Sequence, residues 1–146
     1  MNLENTILEA FDAINNAIEA FNNLKPFVSD GQLAAMKAGC HGEEGQYFID
    51  TLLNLDRRIE TMPKTYEQDG KGMDAIAYLH YFRGGMDWYI TEKDTDEDGE
   101  GQQQAFGLAD LGYGAELGYI SIQELIDAGV ELDLHFEPTA LSKLRS

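Results

Sequence analysis

The sequence predicts an α+β fold, in which N-terminal amphipathic helices pack on one face of a small, mainly antiparallel β-sheet. Apolar residues recur at helical spacing through the first part of the chain, whereas aromatic and β-branched residues separated by glycine turns dominate the second part. The chain has 146 residues, of which 43% are hydrophobic, and this is enough for one core. We therefore predict a single domain, residues 1–146, with a helical layer at 1–65 and a sheet with one or two short helices at 75–146.

Two predicted helices carry matching apolar stripes, and a short helix around residues 33–38, with start signals at Ser29, connects them. In the first helix, residues 3–24, the stripe consists of Ile7, Phe11, Ile14, Ile18 and Phe21. In the third helix, residues 43–62, it consists of Phe48, Leu52, Leu55, Ile59 and Met62. Because both stripes have the same four-three spacing, we expect them to face each other in the core as an antiparallel pair; a homodimer seam is the alternative.

The sheet is predicted from a β-hairpin and the strands that follow it. Residues 75–82 and 86–92 form the arms of the hairpin, with glycines in the turn between them. Further strands are expected at 104–109 and 117–120. Residues 66–73 contain two glycines and show no periodicity, so this segment is expected to be an exposed, mobile connection.

The C-terminal part of the chain alternates short helices and strands. Ser121 and Glu124 form a capping box for a helix that ends at a glycine. Residues 130–137 alternate apolar and polar side chains, which predicts a half-buried strand. Thr139 is expected to cap a last short helix that continues through Leu144.

Acidic side chains far outnumber basic ones. The chain has 27 Asp and Glu residues against 10 Lys and Arg, giving a formal net charge of -17. Nucleic acid and anionic membranes carry the same sign, so long-range repulsion argues against either as a direct partner. We expect a basic protein surface, that of a nucleic-acid-binding protein, to be the partner of a monomer or homodimer. The alternative is that the charge serves only solubility.

The expected compartment follows from cysteine usage and hydropathy. A single cysteine, Cys40, excludes an internal disulfide and suits a reducing environment. The N-terminus lacks a basic start followed by an apolar run, and no stretch approaches the ~20 apolar residues of a membrane span. We therefore expect a cytoplasmic protein.

An acidic run after the hairpin resembles the first half of a calcium loop. Asp94, Asp96 and Asp98 alternate ahead of Gly99, as carboxylates do when they converge on one hard cation. The second half of the pattern fails, because Ala105 stands where such loops place a bidentate glutamate. Weak calcium binding by the three aspartates is therefore an alternative to a solvated acidic loop, and no other cofactor is expected.

The expected contact surface combines acidic side chains with exposed aromatic ones. Tyr and Trp anchor interfaces well, and strand alternation should expose about half of the aromatic group on the hairpin. The first helix adds acids on its outer face. The predicted partner-binding residues are Asp94, Asp96, Glu97, Asp98, Glu100, Trp88, Tyr89, Glu9, Asp12 and Glu19.

No catalytic residues are predicted. Cys40 and His41 stand next to each other, but there is no second cysteine, and His80 and His135 lie far along the chain as satisfied or surface histidines. Neither a dinucleotide glycine pattern nor a phosphate loop occurs. We expect a protein that is not an enzyme, and an enzyme with an unrecognised site is the alternative.

A set of short motifs between residues 62 and 144 resembles an uncharacterised domain family encoded mainly on bacterial plasmids, integrative elements and phages. The motifs are Met62-Pro63-Lys64-Thr65-Tyr66, Leu79-His80-Tyr81-Phe82, Asp87-Trp88-Tyr89-Ile90-Thr91-Glu92, Gln104-Ala105-Phe106-Gly107, Glu116-Leu117-Gly118-Tyr119-Ile120-Ser121 and Glu131-Leu132-Asp133-Leu134-His135-Phe136-Glu137-Pro138. The resemblance implies a mobile genetic element, on which small acidic proteins often inhibit host restriction or CRISPR machinery. With the charge, it leads us to expect a non-catalytic nucleic-acid mimic that occupies a basic surface of such a defence complex.

Overall fold

A computed structural model describes residues 3–144 of the chain. The helices are α1 (Leu3–Asn23), α2 (Asp30–Cys40), α3 (Gly45–Thr61), α4 (Ile122–Asp127) and α5 (Leu141–Leu144), with a 3-10 turn at Gly72–Asp74. The strands are β1 (Ile76–Ala77), β2 (Leu79–Arg83), β3 (Met86–Glu92), β4 (Ala105–Asp110), β5 (Ala115–Ile120), β6 (Glu131–Leu132) and β7 (Thr139–Ala140). None of the described helices is both long enough and apolar enough to cross a bilayer.

Five strands form one antiparallel sheet in the order β5-β4-β3-β2-β6, and β1 pairs with β7 beside it. The β2–β3 hairpin is the one expected from the sequence, and its turn residue Gly84 has a φ of 57°, a conformation that favours glycine. The predicted α+β fold, with helices at the N-terminus followed by a mainly antiparallel sheet, is confirmed.

The helices cover one face of this sheet and the C-terminal segment covers part of the other. Leu79, Tyr81 and Ile90 point to the helical side and join the main hydrophobic cluster. On the opposite face, Leu108 packs with Leu141 of α5 in a second, smaller cluster. Both faces are therefore partly buried, as the dense apolar and aromatic content of β2 to β4 requires.

Serine side chains cap two of the helices. Ser29 Oγ accepts a hydrogen bond from the Gln32 backbone N–H at 3.3 Å, and Ser121 Oγ accepts one from the Glu124 N–H at 3.2 Å. Each bond satisfies a backbone donor that has no partner within the helix. The start signals identified for α2 and α4 are thus confirmed.

The stripe of α3 is core, as predicted. Leu52, Leu55, Ile59 and Met62 are each at most 5% exposed, and Phe48 is half-buried. They pack between the neighbouring helices and the sheet within the main cluster. Helical spacing was sufficient to find these positions.

Most of the stripe of α1 lies outside the core, so the prediction is wrong for Ile7, Phe11, Ile14 and Ile18, whereas Phe21 is half-buried and packs against the main cluster. Phe11 is 60% exposed, and Ile14 and Ile18 are each 55% exposed. The helix contacts α3 near its C-terminal end, where Ala20 is fully buried and Ala17 is half-buried. Small alanine side chains allow two helix backbones to approach closely, so the alanine side of α1 faces the protein and the bulky stripe faces solvent.

The predicted strand at 130–137 is also mostly absent. Only Glu131–Leu132 pairs with β2, after which the chain turns. The turn is made by Asp133, whose Oδ1 accepts a hydrogen bond from the His135 N–H at 3.0 Å. Aspartate side chains often accept a hydrogen bond from the backbone two residues on and so form a turn. This turn ends the strand at Leu132, although the apolar and polar side chains continue to alternate beyond it.

The last predicted cap was wrong as well. Thr139 lies in β7, and its hydroxyl donates a hydrogen bond to the Glu137 carbonyl at 2.7 Å. The short helix α5 does follow, beginning at Leu141. Its fully buried first side chain docks it against the second cluster.

Candidate functional site

The acidic loop at residues 94–101 connects β3 to β4, and two of its carboxylates are bound to its own backbone. Asp94 Oδ1 accepts from the Asp96 N–H at 3.1 Å, and Asp94 Oδ2 accepts from the Gln104 N–H at 3.1 Å. Asp96 Oδ1 accepts from the Gly101 N–H at 2.9 Å. These bonds shape the loop, so the acids that a partner can reach are Glu97, Asp98 and Glu100, all exposed.

The structure shows no arrangement of this loop that would hold a metal ion. Among residues 3–144, no three Asp, Glu, His or Cys side chains are placed to share one cation. Carboxylate oxygens of Asp94 and Asp96 already accept backbone N–H groups, so calcium binding would require them to give up those bonds. Calcium binding by Asp94, Asp96 and Asp98 stays a prediction.

Trp88 and Tyr89, adjacent in β3, point to opposite faces of the sheet, as strand geometry dictates. Trp88 packs against the main cluster beneath the helices. Tyr89 lies on the other face, with its ring stacked on that of His80 at 4.6 Å between centroids. Burial raises the pKa of the Tyr89 hydroxyl, and the nearby negative charges of Asp87 and other aspartates raise it further. The two aromatic side chains therefore belong to different surfaces.

His80 is held between two carboxylates, an arrangement that the sequence did not reveal. Its Nε2 lies 2.7 Å from Asp87 Oδ1, and its Nδ1 lies 3.0 Å from Asp133 Oδ2. These contacts join β2, β3 and the turn after β6. Because both ring nitrogens contact carboxylates, His80 ties these three segments of the fold together.

The exposed face of α1 combines an apolar stripe with acids. We define the α1 stripe as the exposed large apolar residues Leu3, Ile7, Phe11, Ile14 and Ile18. With the 100° turn per residue of a helix, the exposed Leu8 lies about 60° around the helix from Phe11, Glu19 and Asp12 follow at about 80° and 100°, and Glu9 lies beyond them beside the alanine side. All three acids are exposed, and the helix contains no Lys or Arg. Glu19 also lines a groove with Asp56 and Arg57 of α3, away from the groove that Ile14 and Ile18 border, so the stripe and the acids occupy separate parts of the helix surface.

The C-terminal half of the stripe borders a groove between α1 and the other two helices. The groove has a volume of about 550 Å³ and is mainly apolar. Ile14 and Ile18 form its α1 wall, and Ile49 and Leu53 of α3 lie across from them. Such concave apolar surfaces are typical of sites that receive a helix or a hydrophobic side chain.

A second concave site, which we call the Tyr66 pocket, lies where residues 65–72 cross the open face of the sheet. It has a volume of about 430 Å³, and its walls include Tyr66, Asp69, Glu92, Phe106, Leu117 and Tyr119. The Tyr66 and Tyr119 hydroxyl oxygens are 2.5 Å apart, and the Phe106 ring meets the Tyr119 ring edge-on at 5.7 Å. Phe106 and Tyr119 are thus in ring contact, and Tyr66, from a third segment, joins them through its hydroxyl; Tyr66 is 67% and Tyr119 56% exposed.

The segment that carries Tyr66 is fixed to the sheet, contrary to the expectation of a mobile connection. Gln68 is 5% exposed, and its Nε2 donates to the Thr91 carbonyl at 2.8 Å while its Oε1 accepts from the Ile76 N–H at 2.9 Å. Tyr66 itself has a φ of 78°, which is rare for a residue with a side chain. Sequence reasoning missed this site because none of the three aromatic residues is near another in the chain.

A model of a protein family of unknown function, DUF2958, matches residues 52–143. The chain belongs to the DUF2958 family. The resemblance to a domain family without a known activity is thereby confirmed, and its occurrence on mobile elements stays a prediction. Comparisons with curated proteins and with solved structures found no match.

The DUF2958 match divides the candidate sites into two groups. It begins within α3 and contains the acidic loop, the His80 cluster and every wall residue named for the Tyr66 pocket. Helices α1 and α2 precede it. The α1 surface is therefore an addition to the DUF2958 segment, whereas the Tyr66 pocket is built by that segment alone.

Proposed function

We propose that this DUF2958 protein is a non-catalytic acidic binding protein that occupies a basic surface of a nucleic-acid-binding protein. The observation that carries the proposal is the exposed α1 stripe, on a helix that also carries the exposed acids Glu9, Asp12 and Glu19 and contains no Lys or Arg. Contiguous apolar patches on a soluble protein typically mark an interaction site. Because the same helix carries acids and no Lys or Arg, we expect the partner of the α1 stripe to be basic.

A basic amphipathic helix fits this surface better than a second copy of the chain. Its apolar face would cover the α1 stripe, as in helix-in-groove complexes, and its lysines or arginines would be attracted by the acids of α1. A second copy would instead meet long-range repulsion, because each copy carries a net charge of -17. Like charges placed together at an interface disfavour association.

The acidic loop adds long-range attraction to the same partner. Glu97, Asp98 and Glu100 are exposed and lie within a few residues of each other. Such a concentration of charge raises the rate of encounter with a basic surface, and the effect weakens as salt screens it. If these carboxylates take the place of phosphates, nucleic acid competes for the same surface of the partner.

We further propose that the partner belongs to a host defence complex of the restriction or CRISPR type. Two things support this step: the sign and size of the net charge, and the mobile-element setting that the resemblance implies. Both fit a protein that displaces nucleic acid from a basic surface.

Defined peptides test the proposal without a known partner. The probe is a synthetic amphipathic helix with lysines on its polar face; the matched controls replace every lysine with glutamate or scramble the order. We expect calorimetry to detect binding of the basic amphipathic peptide only, weaker at higher salt and competed by DNA that captures the peptide. The double variant Phe11→Ser/Ile14→Ser should weaken it by at least about tenfold, and Tyr113→Ser, at a residue 96% exposed elsewhere, should not.

Two results would overturn the proposal. Equal binding of the glutamate peptide would mean that charge plays no part. Self-association that grows with protein concentration and disappears in the double variant, with no peptide binding, would make the α1 stripe a homodimer seam.

A further inference from the structure

The Tyr66 pocket presents aromatic faces and negative charge together. Tyr66 and Tyr119 are linked through their hydroxyls, and Phe106 packs edge-on against Tyr119. Aromatic rings attract cations to their faces, most strongly where water is partly excluded. None of the described wall residues is Lys, Arg or His, so no positive charge of the protein competes for these faces.

Among the described residues, two acids line the pocket: Asp69 is exposed, whereas Glu92 is only 3% exposed. Glu92 Oε2 is 3.5 Å from the Thr91 hydroxyl, at the limit of a hydrogen bond, and no basic side chain among residues 3–144 lies within ion-pair distance of it. In the same part of the chain, no fully buried side-chain oxygen lacks a hydrogen bond, so the other Glu92 oxygen is not fully enclosed by the protein. Burying a carboxylate away from any cation is costly, and a cation in the pocket would offset that cost.

The negative charge of the pocket also acts on Tyr119. The hydrogen bond with Tyr66 raises the pKa of the Tyr119 hydroxyl, and the charges of Asp69 and Glu92 raise it further. Both acids therefore lie close enough to influence the aromatic wall. A positively charged group placed there would meet rings and carboxylates at once.

We propose that the Tyr66 pocket binds an organic cation, an alkylammonium or guanidinium group held by Tyr66, Phe106 and Tyr119 against Glu92. Such a group is carried by free amines and by lysine and arginine side chains, and the pocket recognises the chemistry that they share. The buried bonds of Gln68 hold the Tyr66 segment in place before any ligand arrives, which lowers the entropic cost of binding. The pocket is built without α1, so the proposal does not rest on the function proposed for that helix.

The test uses Nα-acetyl-arginine amide and the matching citrulline compound, which has nearly the same shape but no charge. Both are titrated into the full chain while NMR follows the ring protons of Tyr66, Phe106 and Tyr119. We expect saturable shifts with the arginine probe and none with citrulline. The isosteric variant Glu92→Gln and the variant Tyr119→Leu should weaken binding by about tenfold, whereas Glu116→Gln and Tyr113→Leu, both at exposed positions, should leave it unchanged.

A second pair of measurements identifies the source of the cation and separates this proposal from the previous one. The affinity of a short peptide with one central arginine is compared with that of Nα-acetyl-arginine amide. Tighter binding of the peptide indicates that the natural ligand is a protein side chain. Equal affinity indicates a small free amine. The variant Phe11→Ser/Ile14→Ser, which tests the α1 surface, should bind the arginine probe normally.

Three outcomes would overturn the proposal. Equal shifts with citrulline would remove the role of charge. Unchanged affinity in a Glu92→Gln protein with wild-type thermal stability would remove the role of the buried carboxylate. Backbone amide signals of Asp98 and Glu100 that follow the same titration curve as the ring protons of the pocket would mean that the probe only screens the acidic surface.

Discussion

Helices α1 and α3 have the same four-three spacing of large apolar residues, but the protein covers one stripe and leaves the other in solvent. Leu55 in the α3 stripe is 4% exposed, whereas Ile14 in the α1 stripe is 55% exposed. Spacing determines which side of a helix is apolar. It does not determine whether another element covers that side.

The difference follows from the position of each helix in the layer. α3 packs against both α1 and α2, and the approach of α2 to α3 is so close that a Cβ at Gly39 of α2 would lie 2.8 Å from the Phe48 ring of α3. In the described structure, α1 packs closely on α3 alone among the helices and does so through alanines. An apolar face left open in this way is more typical of a binding surface than of a core.

The largest expected effect distinguishes the two stripes directly. Leu55→Ala removes a buried side chain and should lower the free energy of unfolding by about 2–5 kcal/mol, because it loses burial and leaves a cavity. Ile14→Ala should change it by no more than about 0.5 kcal/mol, since the side chain is largely in water already. Urea unfolding of both variants at low protein concentration checks this. Similar losses in both would mean that the α1 stripe is covered in solution.

The next effect tests whether α1 meets the protein through its alanines. Ala20→Leu introduces a bulky side chain at a position that is 0% exposed and should destabilise the fold by about 1–3 kcal/mol. Ala10→Leu makes the same change at an exposed position of the same helix and is the matched control. If thermal unfolding is unchanged in Ala20→Leu, α1 is detached from α3 in solution.

The smallest effect concerns the link between the helical layer and the sheet. Tyr81 in β2 is fully buried and donates a hydrogen bond to the Phe27 carbonyl at 2.6 Å, beyond the end of α1. Tyr81→Phe should cost about 1 kcal/mol at neutral pH. Tyr113→Phe, at an exposed position, should cost nothing measurable.

Alkaline pH should reveal the same bond. Burial raises the pKa of Tyr81 far above its usual range, while in the unfolded chain it is ~10. Above pH ~10 the unfolded chain therefore loses a proton that the folded protein retains, so the stabilising contribution of Tyr81 is complete below that pH and declines as pH rises. Urea midpoints of the wild type and Tyr81→Phe should converge between pH 9 and pH 11 or so. A constant difference would contradict the assignment.

Local signals in the sequence were sufficient for most elements. Ser29 and Ser121 predicted the starts of α2 and α4, because a side-chain oxygen at that position satisfies a backbone donor of the same segment. Glycines in the hairpin turn and alternation in β2 and β3 predicted the centre of the sheet. In each case the interaction partners lie within a few residues of each other or in directly paired strands.

Contacts between distant segments decided the rest. The strand expected at 130–137 ends at Asp133, which bonds to His80 53 residues earlier in the chain. The Tyr66 pocket assembles three aromatic residues from three segments around the buried carboxylate of Glu92. The sequence by itself determined the α+β class, the apolar side of each long helix and the acidic character of the surface. Only the tertiary structure decided that the α1 stripe faces solvent and that a pocket forms across the sheet, because both depend on which surfaces the packed chain covers.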